Sequence, residues 1–424
     1  MKFLVVNVAA LSFDFWKRNS KAEFWKKLNP VPVRTVFPAV TCPVQASFRT
    51  ASEPSSHGVV SNGFMSREIR RTFFWEQASG FCQGERIWDR FRAHGRTVGQ
   101  VCWQQSIGSD SDMILSPAPI HKHHGGMIQE FYSRPPEIYA KICERLDRKF
   151  NLFNYWGPMA SIKSSEWICD ATCEMLRTHT APELLLAYIP HLDYDLQRYG
   201  PESTKASEAF RKMEGLLENL FECARVAGYK ILFFGDYAIS PAENVISPNR
   251  ILLEKGLFHV REVSGMLYPD LWDSPAFAMV DHQIAHIYIK NPDDIGLVRR
   301  YFEGRRGVFA VHSKEKIGHP RAGDLILEAD EGSWFAYGWW NKKTEAPDYA
   351  SHVDIHNKPG YDPCELFFSF WRMFSSQMDN SMVKGTHGRN VSPMHDVLLA
   401  SDIDLKSPRT LVEAASVMKK ILSE

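Results

Sequence analysis

Residues 37–62, FPAVTCPVQASFRTASEPSSHGVVSN, hold the groups best placed for chemistry. An apolar, β-like run over residues 31–40 ends at Thr41, and Cys42-Pro43 follows where a helix can begin. A hydroxyl at such a junction lies over free backbone N–H groups and the positive end of a helix dipole, a setting that favours attack on an anionic phosphoryl group. The spacing predicts an exposed Thr41, poised as a nucleophile for phosphorus. A Thr that only caps its helix would occupy the same place. A short polar helix, a Pro turn and His57-Gly58-Val59-Val60 then lead to Asn62.

Other polar residues follow apolar runs. PHLDYDLQRYGP comes after residues 184–189, GDYAISP after 230–235, and KGTHGRNVSPMHDVLLAS lies near the end of the chain. His191, Asp193 and Asp195 alternate, so all three share one face if the preceding strand continues. His282 stands in VDHQIAHIYI and His356 in DIHNKPGYDP. For His282 and His191 the competing reading is a satisfied core imidazole. His121, His123 and His124, before Gly125-Gly126, lie in a Pro-rich loop and read as an exposed, non-specific cluster.

Residues 37–62 resemble the nucleophile region of the nucleotide pyrophosphatase/phosphodiesterase family of the alkaline phosphatase superfamily, whose pattern is P-x-x-T-x-P and then P-x-x-H-G-I-x-x-N. HLDYDLQRYGP and DIHNKPGYDP are similar to strings in a divergent bacterial branch of that superfamily. The H-G-V-V-x-N string at the family's distance favours the nucleophile over the cap. By this resemblance Thr41 attacks phosphorus and Asn62 hydrogen-bonds a non-bridging oxygen. The resemblance also implies a metal site, with ligands from several strand ends: Asp193, Asp236, His387 and Thr41 itself. Three expected ligands are replaced, a His by Gln197, a His by Tyr237 and an Asp by Ala9. Asn7 shares the face of Ala9 about 7 Å back along the strand and is a candidate oxygen ligand. The implied cofactor is one or two divalent ions, manganese, magnesium or zinc. Oxygen donors with one imidazole suit manganese or magnesium better than a zinc pair.

The elements that must position these residues alternate. Strand-like runs at 2–10, 96–103, 184–189 and 230–235 are separated by helical patterns at 87–93, 136–150, 165–177 and 208–227. Phe210, Met213, Leu217, Leu220, Phe221 and Ala224 mark the clearest helix, with Gly228 as its terminator. The pattern predicts an α/β fold, an alkaline-phosphatase-like and mostly parallel sheet flanked by helices, with active residues at the carboxyl ends of the strands. Residues 1–240 and 341–424 would form this catalytic core. Residues 241–340, with short apolar runs among turns, read as an inserted, smaller α+β subdomain. Residues 344–363 read as an ordered loop that lines the site, and 407–422 as a final amphipathic helix opening on Ser407-Pro408.

Composition narrows the partners. The 424 residues are 44% hydrophobic and 24% charged, with formal net charge +0, so nothing favours a nucleic acid polymer. No apolar run is long enough to span a bilayer. The eight cysteines lack metal spacing, and Cys169 and Cys173 read as core packing. A cytoplasmic protein is expected, with the apolar N-terminus as a buried first strand rather than a signal peptide.

The resulting expectation is a metal-dependent hydrolase that cleaves phosphodiester or phosphoric anhydride bonds of small nucleotide or nucleotide-sugar molecules through a phospho-threonine. His356 would be a general acid or a replacement ligand, and Phe64, Phe74 and Trp75 would stack on a ring. The alternative is a non-hydrolytic binding, scaffold or biosynthetic accessory protein that has lost part of a two-metal site. A phosphomonoesterase or phosphonate hydrolase is a third possibility. Cys42-Pro43-Val44 lacks the Arg of C/S-x-P-x-R, which argues against a sulfatase.

Overall fold

The computed structural model describes residues 1–123, 126–369, 372–376, 378–391 and 393–424. Strand Leu184–Ile189 is buried along its whole length, as is strand Lys2–Val8 after its first residue. Such continuous apolar runs suit strands covered on both faces. They are central to an eight-stranded sheet ordered Val31–Val33, Val397–Ser401, Tyr229–Gly235, Lys2–Val8, Leu184–Ile189, Val98–Val101, Met113–Pro117, Phe131–Arg134. The five strands from Tyr229–Gly235 to Met113–Pro117 run parallel, and the pairings beyond them at both edges are antiparallel.

Alternate side chains of these strands feed two cores. Leu4, Val6, Leu185, Ala187, Ile231 and Phe233 pack against helices Phe13–Asn19, Ile162–Arg177 and Thr204–Val226. Phe3, Val5, Leu184, Leu186, Leu232 and Phe234 pack against helices Thr41–Thr50 and Leu411–Ser423. Cys169 belongs to the first core. Helix Thr204–Val226 starts on the Ser203 side chain and stops before Gly228, which turns left-handed at φ 78°.

A second sheet, antiparallel throughout, is ordered Ala276–Asp281, Ile284–Ile289, Leu325–Ala329, Val308–Ser313. It has its own core, which draws in Met65 and Phe74 from the hairpin Gly63–Ser66/Arg71–Phe74, and Tyr361 from the late loop.

Local expectations are corrected in four places. The run 31–40 is a strand only at Val31–Val33. Residues after Ile189 turn into helix His191–Tyr199, so His191, Asp193 and Asp195 spread around a helix instead of sharing a strand face. His191 carries its own near partner, Asp195, at 3.8 Å. The last helix opens on Thr410, whose hydroxyl accepts from the Glu413 N–H, rather than on Ser407-Pro408. His121 and Met127 lie on the paired strands Ile120–His121 and Met127–Ile128, while His124 and Gly125 fall outside the described residues.

The register sets Val8 beside both Ile189 and Gly235, so Ala9, Pro190 and Asp236 emerge together at one edge. That edge tolerates no extra atoms. A Cβ on Gly235 would lie 2.0 Å from the Leu11 carbonyl oxygen, a backbone atom that cannot rotate away. Gly235→Ala is expected to cost about 1–3 kcal/mol through overpacking, read as a lower midpoint in chemical denaturation.

Candidate active site

Thr41 is the first residue of helix Thr41–Thr50, and Val40, which has no capping side chain, holds the cap position. Thr41 therefore does not cap its helix. The open first turn leaves backbone donors for other acceptors. One of them, the Cys42 N–H, donates to Asn62 Oδ1 at 3.0 Å. Thr41 is not exposed as expected but 2% accessible. It lines a cavity of about 370 Å³ together with Tyr237, and its side chain offsets a small part of the rise that burial gives the Tyr237 phenol.

Asn62 is positioned by a carboxylate that sequence reasoning missed. Asp281 ends a strand of the second sheet, and its oxygens accept from Ser61 Oγ (2.5 Å), the Asn62 N–H (2.9 Å), Asn62 Nδ2 (3.1 Å) and His282 Nδ1 (2.8 Å). Burial pushes this carboxyl up, but the hydrogen bonds from His282, Ser61 and Asn62 bring it below its ordinary range. His282 follows at φ 59°, in the turn between two strands. The only hint in the sequence was the Asp-His pair inside an apolar hairpin.

Four rings then stack in series. Tyr237 lies on His387 with centroids 3.4 Å apart, His387 on His282 at 3.7 Å, and His282 on Tyr361 at 3.6 Å. The two tyrosines at its ends reach helix His191–Tyr199. Tyr237 donates to Asp193 Oδ1 at 3.1 Å, and Tyr361 donates to Gln197 Oε1 at 2.6 Å. Asp193 and Gln197 are one helical turn apart, and Gln197 Nε2 donates to Asp193 Oδ2 at 2.7 Å. Burial pushes the Asp193 carboxyl up to about 6. His387 Nδ1 donates to the Ala39 carbonyl at 3.0 Å, and burial with the neighbouring His282 keeps the ring neutral, its pKa well below the usual imidazole range. Its Nε2 lies 3.9 Å from Asp193 Oδ1.

Asp236, fully buried, directly follows strand Tyr229–Gly235 and precedes Tyr237. Its Oδ1 accepts from the N–H groups of Ala10 (2.9 Å) and Tyr237 (3.0 Å), while Oδ2 has no partner. Burial raises this carboxyl well above the ordinary range. Asn7 is not brought to the cavity: its Oδ1 accepts from Gln45 Nε2 at 2.8 Å and its Nδ2 donates to the Phe234 carbonyl. His356 does reach the cavity wall, where Nδ1 donates to the Phe74 carbonyl at 3.1 Å and the ring stands 6.0 Å from that of His121. Of the aromatic residues expected to stack on a ring, Trp75 lines the cavity. Phe64 instead stacks on Phe73 and Phe81, and Phe74 belongs to the second core. Trp156, Tyr155 and Tyr194 line the wall, and no Lys or Arg stands among the described lining residues.

The donor set does not fit the expected metal site. Among the described residues no group of three or more His, Cys, Asp or Glu side chains is placed to hold a metal ion. Both Asp193 oxygens carry hydrogen bonds from side chains, and the oxygen of Gln197 is turned to Tyr361. At the second position Asp236 has only Ala9 and Tyr237 where the family pattern has an Asp and a His, and Asn7 is engaged elsewhere.

Against known proteins, the model of the type I phosphodiesterase / nucleotide pyrophosphatase family matches residues 11–362, and the chain belongs to that family. An uncharacterized pyrophosphatase/phosphodiesterase of Schizosaccharomyces pombe is 23% identical over 248 residues, which is 57% of this chain and 43% of that protein. The chain thus matches less than half the length of that curated relative. Murine ectonucleotide pyrophosphatase / phosphodiesterase 5 has a similar structure, with a TM-score of 0.62 at 15% identity over 100% of this chain and 95% of that one. The murine protein is also known in an inactive threonine-to-alanine form in complex with AMP. Phosphonoacetate hydrolase from Sinorhizobium meliloti 1021, in complex with phosphonoacetate, gives a TM-score of 0.64 at 14% identity over 99% and 95% of the two chains. At these identities the likeness is one of fold.

Asp281→Ala is expected to destabilise the protein by roughly 2–4 kcal/mol at neutral pH, because Ser61, Asn62 and His282 lose their buried acceptor. The folded-state pKa of Asp281 is depressed, so its contribution is full above the ordinary carboxyl value of 3.8 and is lost as pH falls through the folded value. The gap between wild-type and variant melting temperatures should narrow below about pH 4.

Proposed function

We propose that this chain hydrolyses a phosphodiester or phosphoric anhydride bond of a small nucleotide-type molecule, with Thr41 as nucleophile. One observation carries the reading: Thr41 opens its helix on the wall of the cavity that Tyr237 also lines, and Tyr237 in turn donates to Asp193. The family and the small phosphorylated ligands of its structural neighbours support the same chemistry.

In the proposed reaction Thr41 Oγ forms a bond to phosphorus as the bond to the leaving oxygen breaks. The Thr41 proton passes to the Tyr237 oxygen while the Tyr237 proton passes to Asp193. The Cys42 N–H is taken by Asn62, Pro43 has none and the Val44 N–H bonds the Val40 carbonyl, so the Thr41 N–H and the remaining amide hydrogen of Asn62 are the donors that meet the charge developing on phosphorus. His356, on the cavity wall with Nδ1 on the Phe74 carbonyl, enters the step as the imidazolium and passes its Nε2 proton to the leaving oxygen, becoming neutral. Water then gives a proton to His356 and attacks phosphorus as the bond to Thr41 Oγ breaks, and Thr41 recovers its proton from Asp193 through Tyr237. The apolar wall around Trp75 and Trp156 suits the ring of a nucleoside.

The eight free cysteines fit a reducing compartment and support a cytoplasmic setting. Among the described residues no helix is long and apolar enough to cross a membrane.

Thr41→Ala should abolish hydrolysis of an aryl phosphodiester while the variant melts within a few degrees of wild type. Undiminished turnover would refute the mechanism. A protein that binds AMP but never turns over an ester would support the accessory-protein alternative, which the displaced metal ligands favour. His356→Gln should lower turnover about a hundredfold, the lower end for general acid–base residues. A loss of stability with unchanged rate would reduce His356 to a loop anchor.

A further inference from the structure

Two divalent ions would bring four positive charges to the strand ends, where two carboxylates stand, Asp193 on the cavity wall and Asp236 fully buried just past its strand. In a buried site a charge left without its counter-charge is strongly unfavourable. The side chains already supply an alternative. Asp193 receives the Tyr237 O–H on one oxygen and the Gln197 amide on the other. Tyr361 closes the circuit by donating to Gln197 Oε1. Tyr237 lies flat on His387, with ring planes 1° apart, so its phenol fills the space beside the imidazole where a second imidazole would stand in the family pattern.

We propose that this chain takes up no divalent metal pair, and that a hydrogen-bonded bridge of Tyr237, Asp193, Gln197 and Tyr361 occupies the metal positions. In that arrangement Tyr237 does the work of the missing ion at Thr41: it holds the hydroxyl and receives its proton. Gln197 and Tyr361 are positioning residues that keep the Asp193 carboxylate turned toward Tyr237. The proton-accepting role of Tyr237 rests on the reading of Thr41 as nucleophile, whereas the exclusion of the metal pair does not.

The two readings separate experimentally. Protein purified without chelator and dialysed against trace-metal-free buffer should contain no stoichiometric zinc, manganese or magnesium by elemental analysis. Its melting temperature should be unmoved by EDTA or by adding any of the three ions. One or two ions per chain, or a rise of several degrees on adding an ion, overturns the inference even if Thr41→Ala is inactive. Conversely, a metal-free protein whose turnover ignores Thr41 overturns only the nucleophile. A reciprocal variant tests the cause. Gln197→His with Tyr237→Phe gives Asp193 and His387 a third ligand, one helical turn from Asp193, and frees both Asp193 oxygens. It should bind one zinc per chain and gain thermal stability from it. Failure of the folded variant to bind zinc would show that the bridge is not what excludes the ion.

Discussion

The site depends on the carboxylate of Asp281. Four hydrogen bonds converge on it, from Ser61, twice from Asn62, and from His282. Asp281 belongs to the second sheet, whereas Asn62 follows the helix that begins at Thr41, so the contact ties two layers of the protein at the mouth of the main sheet. A buried charge of this kind is tolerated only when its lone pairs are filled, and filling them fixes everything that does the filling. Asn62 is thereby held with its oxygen on the Cys42 N–H, and His282 with its ring in the stack.

The stack shows how a site can be rebuilt without changing its scaffold. The strand ends still deliver Ala9, Pro190 and Asp236 to one edge, and Thr41 still opens its helix. At two of the three altered ligand positions, Gln197 and Tyr237 exchange donors of electron pairs for donors of protons. A proton donor satisfies a buried carboxylate much as a cation would, with far less charge to compensate. Substitutions that look like decay when each is taken alone are mutually consistent once Tyr361 is seen to bind the oxygen of Gln197.

The surrounding polar cluster at residues 354–365 follows the same rule. Lys358 is 1% exposed and lies 2.8 Å from Asp362 and 2.7 Å from Glu365. Glu365 also accepts from the indole of Trp156, a residue of the cavity wall. The late loop is thus held by paired charges as well as by Tyr361 in the second core, which lets a polar segment pack against the cavity and present His356 and Tyr361. This loop is thereby fixed where His356 and Tyr361 line the cavity.

How much of this was legible from the chain follows from the range of the forces involved. Local periodicity located strand Leu184–Ile189 to the residue and most of helix Thr204–Val226, because burial is written into neighbouring residues. The family resemblance implied that Thr41, Asn62, Asp193, Asp236 and His387 gather at one end of the sheet, where a parallel sheet delivers its strand ends. The sequence also showed that Gln197 and Tyr237 replaced imidazoles, without showing what they do instead. That was decided by tertiary structure alone. Tyr361 meets Gln197 across 164 positions, and Asp281 meets Asn62 across 219. Asn7 shows the converse, for its strand face was readable while its true partner, Gln45, came from a helix 38 residues away. Hydrogen bonds between side chains leave no periodic trace in sequence, so they become visible only when the chain has folded them into contact.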